Sequence, residues 1–395
     1  RTDFWPWRPW DWLYGKGYWY LGINYNWYPG WHKWALPGPR LPWLPAYSRK
    51  APELVFEFEQ ELDNNGEVII NIDTALTKEI FGDIDQRYEI TAEVSDLSRR
   101  SIASKTEVLV GEKAYYLRCW AEGGYFRVGE SIKAFAQLNA LDGSAAASKG
   151  TATLYRLKYT KGEEIEEEKL QEWEASTDEK GVGFIMLNAN KSGQYRLEWQ
   201  LSVDEEPEEQ IIGTCIFNVY GKSIENADFR YNALELLPDK SEYKPGENLR
   251  LRINSEQADS LVMLFVRPEN GICPRPDFLR LQGKSREIEI PLTKADIPNI
   301  FLEASLVSKG KLHQVIRSIA IPPESKVLDL QVEAEKTELQ PGEDANINIK
   351  ITELDGNAYQ GNLTVAVYDK SLEALSGGTN VPAILPHFWS WKRIH

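Results

Sequence analysis

The sequence predicts an all-β protein made of tandem antiparallel β-sandwich domains of the immunoglobulin or fibronectin type. Three observations carry this. Apolar and polar residues alternate with period two in many short runs from Ala51 onward, which is the pattern of strands with one wet face. Stretches of 10–15 residues with helical periodicity are scarce. A glycine turn also recurs at a domain-sized interval, the mark of repeated units.

The runs follow in order. Leu54–Glu59 reads L-V-F-E-F-E, Val68–Ile72 reads V-I-I-N-I, and Tyr88–Val94 reads Y-E-I-T-A-E-V. Thr151–Leu157, Phe184–Leu187, Tyr195–Leu201, Leu249–Ile253, Ile288–Ile290, Ile347–Ile351 and Leu363–Tyr368 continue the series. Strands of this length, bounded by turn residues, fit sandwiches.

Two devices punctuate the runs. Tyr125–Glu130, Tyr243–Glu247 and Leu339–Glu343 each end a strand in a turn whose glycine supplies positive φ. Those glycines, Gly129, Gly246 and Gly342, stand 117 and 96 residues apart. Asp142-Gly143 and Asp355-Gly356 put a second glycine fourteen residues after the first and last of them, whereas the middle copy lacks this Asp-Gly. The other device, Asp63-Asn64-Asn65-Gly66 and Asp178-Glu179-Lys180-Gly181, precedes an apolar strand and marks the second half of a sandwich. The order of devices predicts an aromatic insert at 1–47, a C-terminal half-sandwich at 48–113, full sandwiches at 114–222 and 223–324, and the N-terminal part of a further one at 325–395.

Composition divides the same way. Nine of the 14 tryptophans lie in the first 43 residues, which carry five basic and two acidic side chains, whereas the whole chain is at −15. Seven prolines between Pro6 and Pro45 forbid a long helix or central strand there. The insert's rings are expected to pack on each other and on a sheet face. They also suit a partner surface, because Trp and Tyr give large contact area at small entropic loss. Trp19, Tyr20, Trp27, Trp31 and Trp34 are the candidate partner contacts, toward a protein or the cell envelope. The acidic remainder argues against nucleic acid as a partner.

At the carboxyl end Leu363-Thr364-Val365-Ala366-Val367-Tyr368-Asp369-Lys370-Ser371-Leu372, running on to Leu375, resembles the strand and short helical turn of bacterial alpha-2-macroglobulins. Phe388–Arg393, Ile297–Phe301, Tyr88–Asp96 and the two Pro-Gly turns resemble the same family, so the likeness spans residues 51–395. Tyr368, Lys370 and Val128 depart from the family's usual residues. The resemblance implies seven-stranded antiparallel macroglobulin-like domains in a large secreted, periplasmic or membrane-tethered protease trap. It implies no catalytic or trapping residue here. The thioester motif of many members is Cys-Gly-Glu-Gln, and these cysteines precede Trp120, Ile216 and Pro274.

Other chemistry is thin in the sequence. The four histidines, His32, His313, His387 and His395, lack metal-ligand spacing. Gly283-Lys284-Ser285 mimics the end of a phosphate loop, but Phe278 occupies the position needing glycine. The acidic runs at 163–168 and 204–209 read as solvated hairpin tips. Cys119 and Cys215 read as buried small hydrophobes, with a bridge between them as the alternative. No cofactor or metal is expected. No apolar stretch approaches the length needed to span a bilayer, and the chain, which begins at Arg1, reads as a piece of a longer protein. The expected role is scaffolding within a broad-spectrum endopeptidase inhibitor, not an enzyme. The alternative is a cell-surface binding protein of Ig-like repeats whose contact surface is residues 1–47.

Overall fold

The computed structural model describes residues 2–3, 25, 27–31, 54–72, 74–75, 79, 85–95, 101–111, 113–160, 164–203, 206–221, 229–240, 242–267, 274–321, 328–336, 338, 340, 342–353, 356–365 and 367. Strands dominate them. β1 (Thr2–Asp3), β2 (Gln86–Ser95) and β3 (Ser101–Val110) form one small sheet.

Sandwich A follows, from β4 (Tyr115–Ala121), β5 (Tyr125–Arg127), β6 (Ser131–Ala140), β7 (Ser148–Tyr159), β8 (Ile165–Thr177), β9 (Val182–Asn188), β10 (Gly193–Val203) and β11 (Glu206–Tyr220). Its sheets are ordered β5-β11-β10-β7-β8 and β4-β6-β9. The alternation read in the sequence fixes which face turns inward. Tyr195, Leu197, Trp199 and Leu201 of β10 meet Cys215, Phe217 and Val219 of β11 in one core with Ile132, Leu138 and Leu187.

Sandwich B comprises β12 (Glu235–Pro238), β13 (Asn248–Asn254), β14 (Leu261–Val266), β15 (Asp277–Arg280), β16 (Ser285–Pro291), β17 (Asn299–Ser308) and β18 (Lys311–Ala320). Here a three-stranded sheet, β12-β13-β16, faces β15-β14-β17-β18 across a second core. Beyond it β19 (Leu328–Ala334) pairs with β20 (Ile347–Glu353). On that hairpin Leu330 and Val332 face Ile351 and Ile349 in register, so one side is apolar and the other polar.

The expectation of purely antiparallel sheets needs one correction. β5 pairs in parallel with β11, the last strand of sandwich A. In sandwich B, Glu242 makes the matching parallel bridge to Ala320 at the end of β18. In each sandwich the chain leaves its first strand, crosses to the opposite sheet and lies beside the last strand. Sandwich A therefore has eight strands rather than the seven the resemblance implies.

The repeated turns are alike down to single hydrogen bonds. Gly129, Gly246 and Gly342 have φ of 85°, 94° and 93°. In each turn the following glutamate amide donates to the carbonyl three residues back: Glu130 to Arg127, Glu247 to Lys244 and Glu343 to Gln340. Its carboxylate in turn accepts from that residue's amide, at 2.8, 3.0 and 3.3 Å. The glutamate thus caps its own turn, a role its mere recurrence did not reveal. The middle copy has Asp259 at the position of Asp142, with Ser260 replacing the glycine. Asp259 itself takes the left-handed conformation, at φ 56°, which Asp tolerates better than most residues.

The second device is duplicated equally closely. The Asp63 side chain accepts from the amides of Asn65 and Glu67, and that of Asp178 from Lys180 and Val182, all at 2.7–2.9 Å. Gly66 and Gly181 both have positive φ, but a Cβ on Gly66 meets nothing within 4 Å whereas one on Gly181 meets the Leu138 carbonyl oxygen at 2.3 Å. Gly66→Ala should therefore lose about 1–2 kcal/mol, the left-handed penalty alone. Gly181→Ala should lose more, because backbone must also move. Urea unfolding midpoints of the two variants check the order.

Candidate functional site

The outer face of the five-stranded sheet in sandwich A is where the sequence and the fold disagree in an informative way. Strand alternation turns Gln194 and Arg196 of β10 outward, together with Thr214, Ile216 and Asn218 of β11. Outward polar residues are normally wet, yet Gln194, Arg196, Thr214 and Asn218 are buried together with Ile216. Tyr25 and Tyr28 of the aromatic insert and Phe229, Tyr231 and Leu237 at the start of sandwich B pack on this face.

Tyr25, Tyr28 and Trp31 stand three residues apart. Two successive turns, Tyr28 N–H to the Tyr25 carbonyl at 2.7 Å and Trp31 N–H to that of Tyr28 at 3.1 Å, link them. Tyr25 and Tyr28 are buried in a cluster with Leu157, Ile216, Tyr220, Phe229 and Leu237. The Tyr25 hydroxyl donates to the Ile216 carbonyl at 3.1 Å. Tyr25 meets Trp31 edge to face at 4.9 Å between centroids, and Trp27 meets Tyr159 likewise at 6.0 Å. Such pairs add about 0.5–1.5 kcal/mol each beyond their burial.

Charge lies beneath the rings. Arg196 forks onto both oxygens of Glu167 at 2.6 Å and reaches Glu198 at 2.5 Å. Its guanidinium also lies over the Tyr155 ring, 4.5 Å from the centroid. The Tyr28 hydroxyl donates to the same Glu167 at 2.6 Å. Burial works to raise the Glu167 pKa, but the bonds from Arg196 and Tyr28 outweigh it and hold the carboxyl below its usual range.

The seam with sandwich B repeats this chemistry. Arg252 of β13 lies 3.8 Å from the centroid of the Tyr220 ring and pairs with Glu287 at 2.6 Å. Tyr220, Phe229 and Tyr231 stack successively at 4.9 and 5.7 Å. Gln194 is fully buried and ties the two units together. Its amide donates to Asn218 and the Arg230 carbonyl, and its oxygen accepts from the Arg230 amide and the Tyr159 hydroxyl. Glu235 completes the seam, accepting from the Asn232 amide at 2.8 Å, the Asn232 side chain at 3.0 Å and Asn254 at 3.4 Å. Desolvation pushes its carboxyl up to about 7, against the pull of these bonds and of Arg317.

Of the expected contact residues, Trp27 and Trp31 are half-buried against this cluster. Trp19, Tyr20 and Trp34 lie outside the described residues. Sequence reasoning passed over Tyr25, Tyr28, Arg196, Arg252 and Glu235. Arg196 and Arg252 were visible as ordinary strand residues, but nothing local told which strand face would be covered.

The remaining sequence features have structural roles or none that can be described. Cys119 and Cys215 are free thiols in the core of sandwich A, so the alternative of a bridge between them is not realised. Burial raises the pKa of both, that of Cys215 to about 12. Ser285 of the phosphate-loop mimic donates to buried Asn254 at 2.7 Å. His32, His387, His395, Cys273 and the motif residues Tyr368–Leu375 and Phe388–Arg393 lie outside the described residues. Among the described residues no group of three His, Cys, Asp or Glu could hold a metal ion, and no helix is long and apolar enough to cross a membrane.

Comparison with known proteins now adds the family. The model of the alpha-2-macroglobulin bait region domain matches residues 234–375, from β12 through the β19–β20 hairpin. An alpha-2-macroglobulin homolog of Nostoc is 30% identical over 206 residues, covering 49% of this chain and 11% of its own length. A homolog of Deinococcus radiodurans is 26% identical over 146 residues, covering 36% and 14%. The native Escherichia coli alpha-2-macroglobulin structure is 15% identical and covers 69% of this chain and 19% of its own, with a TM-score of 0.28. The chain thus spans little more than a tenth of the curated relatives it matches. The bait-region match lies across sandwich B and the hairpin beyond it, and the chain is similar to alpha-2-macroglobulin homologs over about half of its length.

Proposed function

We propose that this chain is a scaffold stretch of a broad-spectrum endopeptidase trap. The observation that carries the reading is the bait-region match over residues 234–375, which falls on sandwich B and the hairpin after it. Sandwich A then serves as the fixed neighbour against which the bait-bearing unit is held, through Gln194, Arg252 and the aromatic stack. The unit boundaries lie near residues 113, 223 and 325. Attacking proteases are the partners of the parent protein, in the periplasm, tethered to a membrane or outside the cell. The Escherichia coli relative has been solved after activation by trypsin and by porcine elastase. The chain performs no catalysis of its own in this reading and binds no nucleic acid.

The alternative of an adhesin contacting partners through residues 1–47 finds less support. The described part of that segment turns Tyr25 and Tyr28 into the protein's own seam. The test is to incubate the parent protein with several endopeptidases. Capture should protect each protease's activity on small substrates while blocking large ones. Unimpaired cleavage of large substrates by every protease overturns the trap.

A further inference from the structure

We propose that the groove at the seam of sandwiches A and B is a docking site for a Tyr/Trp-rich peptide segment. In this chain Tyr25–Trp31 fills it as a strap, and its seating locks sandwich B against sandwich A. The inference goes beyond the trap reading and does not depend on it.

Three features carry it. First, the groove is built for such an occupant. A stripe of Leu157, Ile216 and Tyr220 is flanked by Glu167, whose carboxylate accepts the Tyr28 hydroxyl, and by an accepting backbone carbonyl at Ile216. Each tyrosine therefore buries a ring and finds an acceptor, which aromatic recognition with a polar tip requires. Second, among the described residues the strap pairs in no β-ladder with A or B, and Tyr25 and Tyr28 reach the seam through their side-chain hydroxyls. Such an occupant can leave without tearing a ladder. Third, the strap meets both sandwiches. Tyr25 bonds to β11 of A and feels Glu235 and Arg317 of B, and its cluster holds Phe229, Tyr231 and Leu237, where B begins. Emptying the groove would expose the Tyr220–Phe229–Tyr231 stack from the strap side and loosen its grip on β12.

The test uses the full chain with a specific protease site inserted after Pro45 and cut after folding. The freed 1–45 piece should stay bound in gel filtration. A synthetic peptide of residues 22–33 should displace it, and the same peptide carrying Tyr25→Ala should need at least about tenfold more, since a buried ring is lost together with its hydrogen bond. Once the displaced piece and the competing peptide have been removed by dilution and gel filtration, backbone amides at 214–220 and 229–237 should exchange faster in the emptied chain while the core of sandwich B stays protected. Placing the substitution in the peptide avoids any variant that fails to fold. Immediate loss of the freed piece overturns the docking site, as does equal displacement by the Tyr25→Ala peptide. Unchanged exchange at 229–237 in the emptied chain overturns the lock.

Discussion

Arg196→Ala should cost sandwich A about 3–5 kcal/mol, the range for removing one partner from a buried ion pair. Arg196 is 4% exposed and serves two carboxylates at once. Glu167 and Glu198 would remain, partly buried and without their counter-charge. The Tyr28 hydroxyl would then face a carboxylate no longer fixed in place, so the strap should loosen as well. Arg196→Lys should recover only part of the loss, because a point charge cannot reproduce the fork onto both Glu167 oxygens. Urea unfolding of the two variants reads this directly. The pH dependence has a definite sign. The Glu167 pKa is lowered in the folded state, so its contribution is present above the unfolded value of about 4.3 and fades as pH falls through the folded one. The destabilisation by Arg196→Ala should shrink accordingly in acid.

The second large effect has the opposite sign. The folded pKa of Glu235, about 7, is raised above its unfolded value. Between about 4.3 and 7 the folded state keeps a proton that the unfolded chain has released. Its favourable contribution is full below the unfolded pKa and is lost as pH rises through 7, by about 3–4 kcal/mol in all. The groups facing it are Asn232 on the approach to β12, Asn254 on β13, Tyr220 on β11, Tyr159 on β7, Tyr231, Tyr25 of the strap and Arg317. Glu235→Gln removes the titration. The stability difference between variant and wild type should therefore move in favour of the variant from pH 5 to pH 8. A difference that stays constant across that window would show that the seam does not titrate through Glu235.

Much of the fold could be read because its signals are local. Gly129, Gly246 and Gly342 needed no partner to be recognised, since a turn's φ requirement is written in one residue. The alternation in β10 likewise named its inward face, Tyr195 to Leu201, which the core confirms. The parallel crossing of β5 was not legible. Three residues carry no periodicity, and the pairing depends on a strand some ninety positions later. The seam was hidden for a related reason. Arg196 and Arg252 look like solvent-facing residues of amphipathic strands, and only long-range packing removes the water. The tryptophan excess drew the eye to this segment, but among its described residues Tyr25 and Tyr28 hydrogen-bond to sandwich A.

The parallel crossing has a mechanical consequence. In both sandwiches the segment after the first strand lies beside the last strand and runs in the same direction. Tension entering through that segment and leaving through the last strand pulls along the two strands, not across them. The bonds between β5 and β11 then bear the load together, in shear, where an antiparallel end pairing would open one bond at a time like a zipper. A chain of such units passes a pull from one sandwich to the next without unravelling at its joints.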